Sequence, residues 1–355
     1  MIVMASSQKN LSEQTDIPMK KSELSDEQMA GQRIMAGFDG QEFNDDLKFL
    51  IGEIKVGGII LFSRNLSTPK AIQRMCQKSQ EYAAKCGQPP LFISIDQEGG
   101  AVARLKEPFE QFSGNAAMNK EADAIYFAEK TASDLKSLGI NMDMAPVMDT
   151  APNSPDSPIS GRSFGNDPKW VSKMGIAVIN GLWENQIIPV AKHFPGIGGT
   201  TLDSHLDMPV FSGDESCLES FHLIPFQSAM DNPSIKNGVP CVMLSHVLYP
   251  DIDPAWPASL SEKISKTLLR EKMGYDGVTI TDDLDMGAIK KRHSIKTVIG
   301  RVVASNIDIA LICHKGPDIE AAFHEMILLG GGSLGRAGHG ASVDRIIRLK
   351  ENCEL

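Results

Sequence analysis

The sequence predicts a single (β/α)8 TIM-type barrel, and two regularities of its 355 residues point to this fold class. Short β-branched or apolar runs alternate with longer segments whose apolar residues recur at helical spacing, as in parallel strands joined by helical crossovers. Most of these runs end directly in a polar cluster rich in Gly, Pro, Asp or His. Because the carboxyl ends of barrel strands open on one face, such clusters would converge there as a site.

Eight runs are candidate strands, and eight such units in a chain of this length favour a closed barrel over an open doubly wound sheet. In chain order they are Arg33–Gly37, Gly57–Phe62, Leu91–Ile95, Ile140–Ala145, Ile188–Ala191, Cys241–Leu244, Val278–Thr281 and Asp308–Cys313. Pro69–Lys85 and Lys120–Leu138 are predicted to be helices. The prediction leaves room for irregular or reversed strands early in the barrel.

The domain organisation follows from the ends of the chain. Residues 1–24 are polar and lack periodicity, which predicts a mobile tail, and residues 25–355 are predicted to form one barrel domain. The glycine-rich stretch Gly330–Gly340 lacks the strand and the Lys-Ser/Thr of a phosphate-binding loop. It is interpreted as a flexible connection ahead of a terminal helix, Val343–Cys353.

Composition and charge exclude several classes of protein. A formal net charge of -10, with no basic patch, argues against nucleic acid as a partner. Six scattered cysteines without metal-binding spacing are interpreted as free thiols of a reducing compartment. The N-terminus lacks the apolar core of a signal peptide, and no run approaches the length of a membrane span. These features predict a cytoplasmic protein with no membrane partner.

The seventh candidate strand ends in three acidic residues. Asp282 comes directly after the strand, so it is expected at the mouth of the barrel, where a carboxylate can attack an anomeric carbon. Asp283 and Asp285 compete for this role. Asp in the first turn of a helix is also favoured as a cap, so the three acids can divide these tasks. Asp282, next to the strand, is the preferred nucleophile.

The fifth candidate strand leads into the segment KHFPGIGGTTLDSH. Lys192 and His193 stand at the strand end, and the glycines of Gly196–Gly199 would let the loop move. Asp203 and His205, two residues apart, can pair so that the carboxylate orients an imidazole for proton transfer. Convergence of His193, His205 and His246 on a metal is the weaker alternative, because neither HxH nor HExxH occurs. No metal or other cofactor is expected.

Three further residues near strand ends are candidate ligand holders. Asp96 follows the third strand and can accept hydrogen bonds from sugar hydroxyls, while Arg104 and Arg162 can donate several to hydroxyl or acyl oxygens. Each is weak evidence alone, and their shared position at strand ends is the stronger argument.

With these residues in place, the chain resembles glycoside hydrolase family 3, and within it the bacterial β-N-acetylglucosaminidases (β-hexosaminidases) of cell-wall recycling. The resemblance extends from about Ala30 to Ile312 and is carried by IDQEGGAVARL, MAPVMDT, GRSFGNDP, KHFPGIGGTTLDSH, MLSHVLYP and ITDDLDMGAI. The KHFPG…DSH element separates this subgroup from β-glucosidases of the family, which take a glutamate acid/base from a second domain. Many relatives have His where this chain has Ile197, so altered packing of the loop is expected there.

The resemblance implies a role for each candidate. Asp282 would be the nucleophile and His205, paired with Asp203, the acid/base. N-acetylglucosamine would be held by the remaining candidates, Asp96, Arg104, Arg162, Lys192 and His193. The implied substrate is N-acetylglucosamine β-linked to 1,6-anhydro-N-acetylmuramic acid, with or without peptide, or a chitooligosaccharide.

Two alternatives to hydrolysis stay open. An imidazole acid/base does not repel an incoming anion as a carboxylate would, so phosphate could replace water and make the chain a phosphorylase. A non-catalytic barrel that binds muropeptides is the less favoured alternative, because the nucleophile and the Asp-His pair are all present.

Overall fold

The computed structural model describes residues 24–151, 159, 161–200, 207–330, 333–353 and 355. Eight strands form one sheet, and all eight positions match the runs predicted from the sequence. They are β1 Ile34–Ala36, β2 Gly58–Leu61, β3 Phe92–Ile95, β4 Met142–Asp143, β5 Ile188–Phe194, β6 Cys241–Leu244, β7 Val278–Thr281 and β8 Ala310–Ile312.

The sheet closes on itself as a barrel. Neighbours along the chain pair in parallel from β1 to β7, β8 pairs in parallel with β1, and a parallel bridge between Ile280 and Ile309 joins β7 to the start of β8. The (β/α)8 fold class is therefore confirmed. The early strands are not reversed, since both pairings of β1 are parallel.

Helices follow the strands and cover the outside of the barrel. After β1 to β8 in turn, the main helices are Asp45–Gly52, Pro69–Lys85, Glu121–Leu138, Pro168–Glu184, Leu223–Met230, Lys263–Lys272, Ile295–Ala304 and Pro317–Gly330. Lys263–Lys272 is a π-helix, and Leu223–Met230 is entered through Glu215–Cys217 and a π-helical stretch, Leu218–His222. Shorter pieces are Ser63–Asn65, Asn115–Ala117, Ala258–Leu260 and Gly287–Lys290. The terminal helices are Asp26–Gln32 and Ser333–Asn352.

Alternation along the strands sorts side chains between the barrel interior and the helix-facing layer. On β7, Val278 and Ile280 belong to the interior cluster, and on β5 Ile188 and Val190 do. The interior register of β3 begins at Phe92. Every second residue of a strand points into the barrel, so the next inward-facing positions after these apolar residues carry polar side chains. They are Asp282 after β7, Lys192 within β5 and Asp96 after β3.

A short antiparallel hairpin leaves the end of β3. Gln97–Gly99 pairs with Val102–Ala103, so Glu98 lies on its first strand and Arg104 follows its second. The Gln97 side chain accepts hydrogen bonds from the backbone N–H groups of Arg104 and Leu105 at 2.9 and 3.0 Å. These bonds fix the hairpin's return and hold Arg104 near the end of the strand that carries Asp96.

Both ends of the chain differ from the prediction. Residues 1–23 of the predicted tail lie outside the described residues, and Leu24, which the prediction assigned to the tail, is buried against Val343 and Ile347. The flexible connection predicted over Gly330–Gly340 is wrong for most of its length, because a helix begins at Ser333. In the part of the chain that the structure describes, no helix combines the length and the apolar character needed to cross a membrane.

Candidate active site

A cavity of about 190 Å³ opens at the carboxyl ends of the strands. All of the predicted site residues that the structure describes line it: Asp96, Arg104, Arg162, Lys192, His193 and Asp282. Asp203 and His205 lie outside the described residues. Apolar residues complete the lining, among them Phe62, Met144 and Val247, so the charged groups are presented within an apolar frame.

Lys192 lies at the centre of an ion-pair network. Its Nζ is 3.0 Å from Asp96 Oδ1 and 2.7 Å from Glu98 Oε1, and the side chain is only 2% exposed. Burial alone would lower the pKa of Lys192, but Glu98 and Asp96 outweigh it and raise the pKa. The ammonium therefore stays charged, and the two carboxylates are held at fixed positions around it.

The two arginines extend this network to either side. Arg104 Nη2 donates to Asp96 Oδ2 at 3.0 Å, and Arg162 makes a bidentate contact to Glu98 at 2.8 and 2.6 Å. Burial would raise the pKa of Asp96, yet Lys192 and Arg104 lower it to about 2. The cavity thus holds an ionised carboxylate and three cations in a rigid array, which suits directional hydrogen bonding to an uncharged polyol.

His193 is oriented by a carboxylate that sequence reasoning did not single out. Its Nδ1 donates to Asp149 Oδ2 at 2.7 Å, and its backbone N–H donates to the same oxygen at 3.1 Å. The other ring nitrogen, Nε2, lies 3.5 Å from Arg162 Nη2. Because Asp149 is fully buried beneath the ring, the imidazole presents Nε2 to the network and the cavity.

Asp282 has the environment of an ionised nucleophile. Its Oδ1 accepts a hydrogen bond from the backbone N–H of Asp283 at 2.8 Å. Burial would raise the pKa of Asp282, but His246 and His193, with smaller contributions from the Asp283 amide and Lys192, lower it. The carboxylate is therefore charged near neutral pH and faces the cavity.

The two neighbouring acids hold the backbone of the turn after β7, and Asp283 lines the cavity as well. Asp283 Oδ1 accepts from the backbone N–H groups of Asp285 and Cys313 at 3.0 Å each. Asp285 accepts from His314 N–H at 3.0 Å and pairs with Lys290. Both carboxylates therefore stabilise the turn after β7.

His246 fixes the same turn from the end of β6. Its Nε2 lies 2.8 Å from the Asp283 carbonyl oxygen and its Nδ1 lies 2.6 Å from Ser259 Oγ. The carbonyl can only accept, so Nε2 carries the proton and Ser259 donates to Nδ1. Burial lowers the pKa of His246, while Asp282 and Asp283 oppose this shift, and the ring bridges Ser259 and the turn through its two nitrogens. No cluster of three or more His, Cys, Asp or Glu in the described ranges is arranged to hold a metal ion.

The glycines after β5 are required for close packing, a role that the sequence did not predict, and the expected movement of the loop stays a prediction. A Cβ at Gly198 would overlap the Thr150 carbonyl oxygen, and one at Gly199 would meet the ring of Phe211 at 2.5 Å. Ile197 packs with an apolar cluster formed by Val147, Ala151 and Ile159. At the position where many relatives have His, this chain therefore makes an apolar contact.

Glu98 and Asp149 are the functional residues that sequence reasoning missed. Both stand inside the motifs that carried the resemblance, in IDQEGG and MAPVMDT. Their partners, Lys192 and His193, are adjacent in sequence but lie on a different strand. Both carboxylates follow a predicted strand, and this position was the signal that could have found them. Their pairing with Lys192 and His193 arises only when the barrel brings the strands together.

Comparisons with known proteins agree with this fold. A model of the glycosyl hydrolase family 3 N-terminal domain matches residues 20–349. β-Hexosaminidase A of Pseudoalteromonas piscicida is 35% identical over 289 residues, which are 75% of this chain and 47% of that protein. A β-hexosaminidase of Thiobacillus denitrificans is 32% identical over 290 residues, 79% of this chain and 78% of that protein.

Solved structures show the same likeness. The family 3 β-N-acetylglucosaminidase from Paenibacillus sp. FPU-7 superposes with a TM-score of 0.88 at 36% identity, over 93% of this chain and 63% of that one. The chain therefore spans about half of the Pseudoalteromonas protein and less than two thirds of the Paenibacillus one. The match to the family model over nearly the whole chain, together with this shared barrel, shows that the chain belongs to glycoside hydrolase family 3.

Proposed function

We propose that the chain is a retaining exo-β-N-acetylglucosaminidase with Asp282 as its nucleophile. The observation that carries this proposal is an ionised carboxylate at a strand end that faces a cavity holding a fixed array of hydrogen-bonding groups. The names of its relatives, β-hexosaminidase and β-N-acetylglucosaminidase, support N-acetylhexosamine as the sugar. A cavity of about 190 Å³ favours a single terminal sugar residue over an internal stretch of a polysaccharide.

The reaction takes two steps. Asp282 attacks the anomeric carbon as the bond to the leaving oxygen breaks, and His205, oriented by Asp203, gives that oxygen a proton. A covalent glycosyl-aspartate forms. In the second step His205 takes a proton from water, and the water oxygen displaces Asp282 from the anomeric carbon. Two displacements restore the β configuration.

The charged array supplies the binding of the sugar. Asp96 is ionised, so it accepts hydrogen bonds from hydroxyl groups, while Arg104 and Arg162 can donate to hydroxyl or acyl oxygens. Lys192 holds Asp96 in place through its buried ion pair, and His193 presents Nε2. Each of these charged side chains is already paired with one of opposite sign, so an uncharged sugar can bind without leaving a buried charge unpaired.

The substrate that the family resemblance implies is N-acetylglucosamine β-linked to 1,6-anhydro-N-acetylmuramic acid, with or without peptide. This assignment places the reaction in peptidoglycan recycling in the cytoplasm. All six cysteines are unpaired, in keeping with a reducing compartment.

Replacing the nucleophile tests the proposal. Asp282→Asn should lower kcat for a chromogenic N-acetylglucosaminide by roughly 10⁴-fold or more, because the amide cannot form the glycosyl ester. Asp285→Asn is the matched control, since this neighbouring acid anchors His314 and does not line the cavity, and it should retain most of the activity. Near-wild-type turnover by folded Asp282→Asn would refute the assignment.

Trapping the intermediate gives a direct readout. A slow fluorinated N-acetylglucosaminyl substrate should leave a glycosyl adduct on the peptide that contains Asp282, detected by mass spectrometry. An adduct on Asp283, or none during turnover, would contradict the proposed mechanism.

Running the reaction in phosphate and in a non-nucleophilic buffer distinguishes hydrolysis from phosphorolysis, since only phosphorolysis yields a sugar 1-phosphate.

A further inference from the structure

Asp149 lies behind the cavity, in the loop after β4. The side chain is fully buried and does not line the cavity, so it cannot touch a bound sugar. Both of its carboxylate oxygens nevertheless accept hydrogen bonds, one from His193 at the end of β5 and the other from Ile197 in the segment that follows. A buried carboxylate is costly unless its oxygens are satisfied in this way.

One oxygen of Asp149 controls His193. Oδ2 accepts from the ring Nδ1 at 2.7 Å and from the backbone N–H at 3.1 Å. A carboxylate can only accept, so Nδ1 carries a proton and Nε2 points away from Asp149. Arg162 Nη2 lies 3.5 Å from Nε2 on the other side of the ring.

The other oxygen holds the start of the loop that leads to Asp203 and His205. Oδ1 accepts from the backbone N–H of Ile197 at 2.8 Å. A second hydrogen bond holds the preceding residue, because Tyr249 Oη donates to the Gly196 carbonyl oxygen at 2.8 Å. The bond to Asp149 comes from the main chain of Ile197, so it does not depend on which side chain stands at this position.

We propose that Asp149 is a positioning residue that couples the sugar subsite to the acid/base loop. Its two oxygens fix the His193 ring and the root of the Gly196–Thr200 segment relative to each other. Because Asp203 and His205 follow this segment in sequence, a change at Asp149 is expected to affect proton transfer as well as sugar binding. This inference rests on the proposed function for its kinetic consequences, but its structural part concerns the His193 ring and the loop alone.

The coupling requires a carboxylate, because both sides of the residue present donors. In Asp149→Asn, one position holds an acceptor oxygen and the other holds an NH2 group. Whichever way the amide turns, NH2 faces either the two His193 donors or the Ile197 N–H. One of the two connections is therefore lost. Glu would carry an extra methylene into a site with no free surface.

The first test uses the unaltered protein. Nitrogen-15 NMR of a histidine-labelled sample, with the His193 signal assigned through its loss in His193→Gln, reports which ring nitrogen carries the proton. The expected result is a proton on Nδ1, the atom that faces Asp149. A ring in the Nε2–H tautomer would overturn the proposal, whatever any variant does.

The second test compares two buried carboxylates. Asp149→Asn should weaken N-acetylglucosamine binding, measured by calorimetry, and lower kcat, each by about 10- to 100-fold, because a hydrogen bond to a charged group is lost or inverted. Asp253→Asn is the control. Asp253 is also buried and accepts from Ala255, Trp256 and Ser261, but outside the cavity. It should lower the melting temperature while kcat and KM stay near wild type.

The outcomes separate the inference from the proposed function. If Asp149→Asn is folded and binds and turns over as the wild type does, the inference fails. If the wild type does not hydrolyse N-acetylglucosaminides, the proposed function fails, and the His193 tautomer still decides the structural part. If Asp149→Asn does not fold, the tautomer measured in the wild type decides in the same way.

Discussion

Asp143 is a carboxyl group next to the site whose ionisation is opposed by its surroundings. It is fully buried at the end of β4, where Oδ1 accepts from the Gln97 N–H at 3.0 Å and Oδ2 has no hydrogen-bond partner among the described residues. Burial raises its pKa to about 8, with Asp96 and Glu98 adding to the rise and Gln97 and Lys192 opposing it. The group is therefore protonated at neutral pH and adds no further negative charge to the network.

Replacing Asp143 by Asn should change how stability depends on pH. An unfolded Asp titrates near ~3.9, so between that pH and about 8 the folded protein binds more protons and loses stability as pH rises. Asn cannot ionise, so the variant should gain on the wild type by up to ~1.4 kcal/mol per pH unit in this window. Urea unfolding at pH 5.5, 6.5 and 7.5 measures the difference. Asp251→Asn, in an exposed loop, should keep the wild-type dependence, and parallel curves for Asp143→Asn would contradict the shift.

Single residues of the site could be predicted where position along a strand decides their role. Asp96, Lys192 and Asp282 continue the interior register at strand ends, so alternation and strand position are sufficient. Glu98 and Asp149 could not be assigned, because each acts through a partner on another strand. Local sequence carries the identity of a side chain but not which distant group will satisfy its charge.

At the scale of elements, the segment after β5 depends on close approach between two loops. Gly198→Ala would place a methyl group on the Thr150 carbonyl oxygen, so the segment or the β4 loop must shift. We expect a loss of about 1–3 kcal/mol in the free energy of unfolding, together with lower kcat. Chemical denaturation and steady-state kinetics measure the two effects.

Gly300→Ala is the matched control for this substitution. Gly300 lies within the helix Ile295–Ala304, and a Cβ there meets nothing within 4 Å. Alanine should stabilise that helix by about 0.5–1 kcal/mol and leave kcat unchanged. If Gly198→Ala behaved like Gly300→Ala, the glycine would serve mobility, as first expected, and not packing.

Helices were predicted well where apolar residues recur at helical spacing and poorly where glycines within a helix indicated a loop. Pro69–Lys85 matches its prediction residue for residue, with Thr68 as cap and Pro69 in the first turn. The terminal helix begins ten residues earlier than the predicted start at Val343, despite the glycines. Its second half packs against the barrel interior through Ile346 and Leu349 and against Leu24 through Val343, and tertiary packing of this kind outweighs low helix propensity.

At the scale of the whole molecule, the two ends of the barrel have different tasks. The carboxyl end holds the cavity and its charges, while the terminal helix Ser333–Asn352 lies across the opposite end. Eight strands in the right order could be predicted because each parallel strand is a separate apolar run. The closure at the amino end could not, because it depends on polar side chains of the terminal helix, among them Lys350 and Arg345, finding partners in the buried interior.

Lys350 should give this closure a pH dependence opposite in sign to that of Asp143. Its Nζ donates to Gln32 Oε1 at 2.6 Å and to the Gly57 carbonyl at 2.9 Å, and lies 4.7 Å from the centre of the Phe92 ring. Burial lowers the pKa of Lys350 to about 7.

An unfolded Lys titrates near ~10.4, so between pH 7 and that value the unfolded chain binds more protons and stability rises with pH. Lys350→Met removes the ionisable group and should lose this rise, which amounts to at most ~1.4 kcal/mol per pH unit. Urea unfolding at pH 7, 8 and 9 measures it. Lys296→Met, on an exposed helical surface, should keep the wild-type slope. If Lys350→Met kept that slope as well, the ammonium would have to reach water in the folded protein, and the terminal helix could not seal the barrel as its packing indicates.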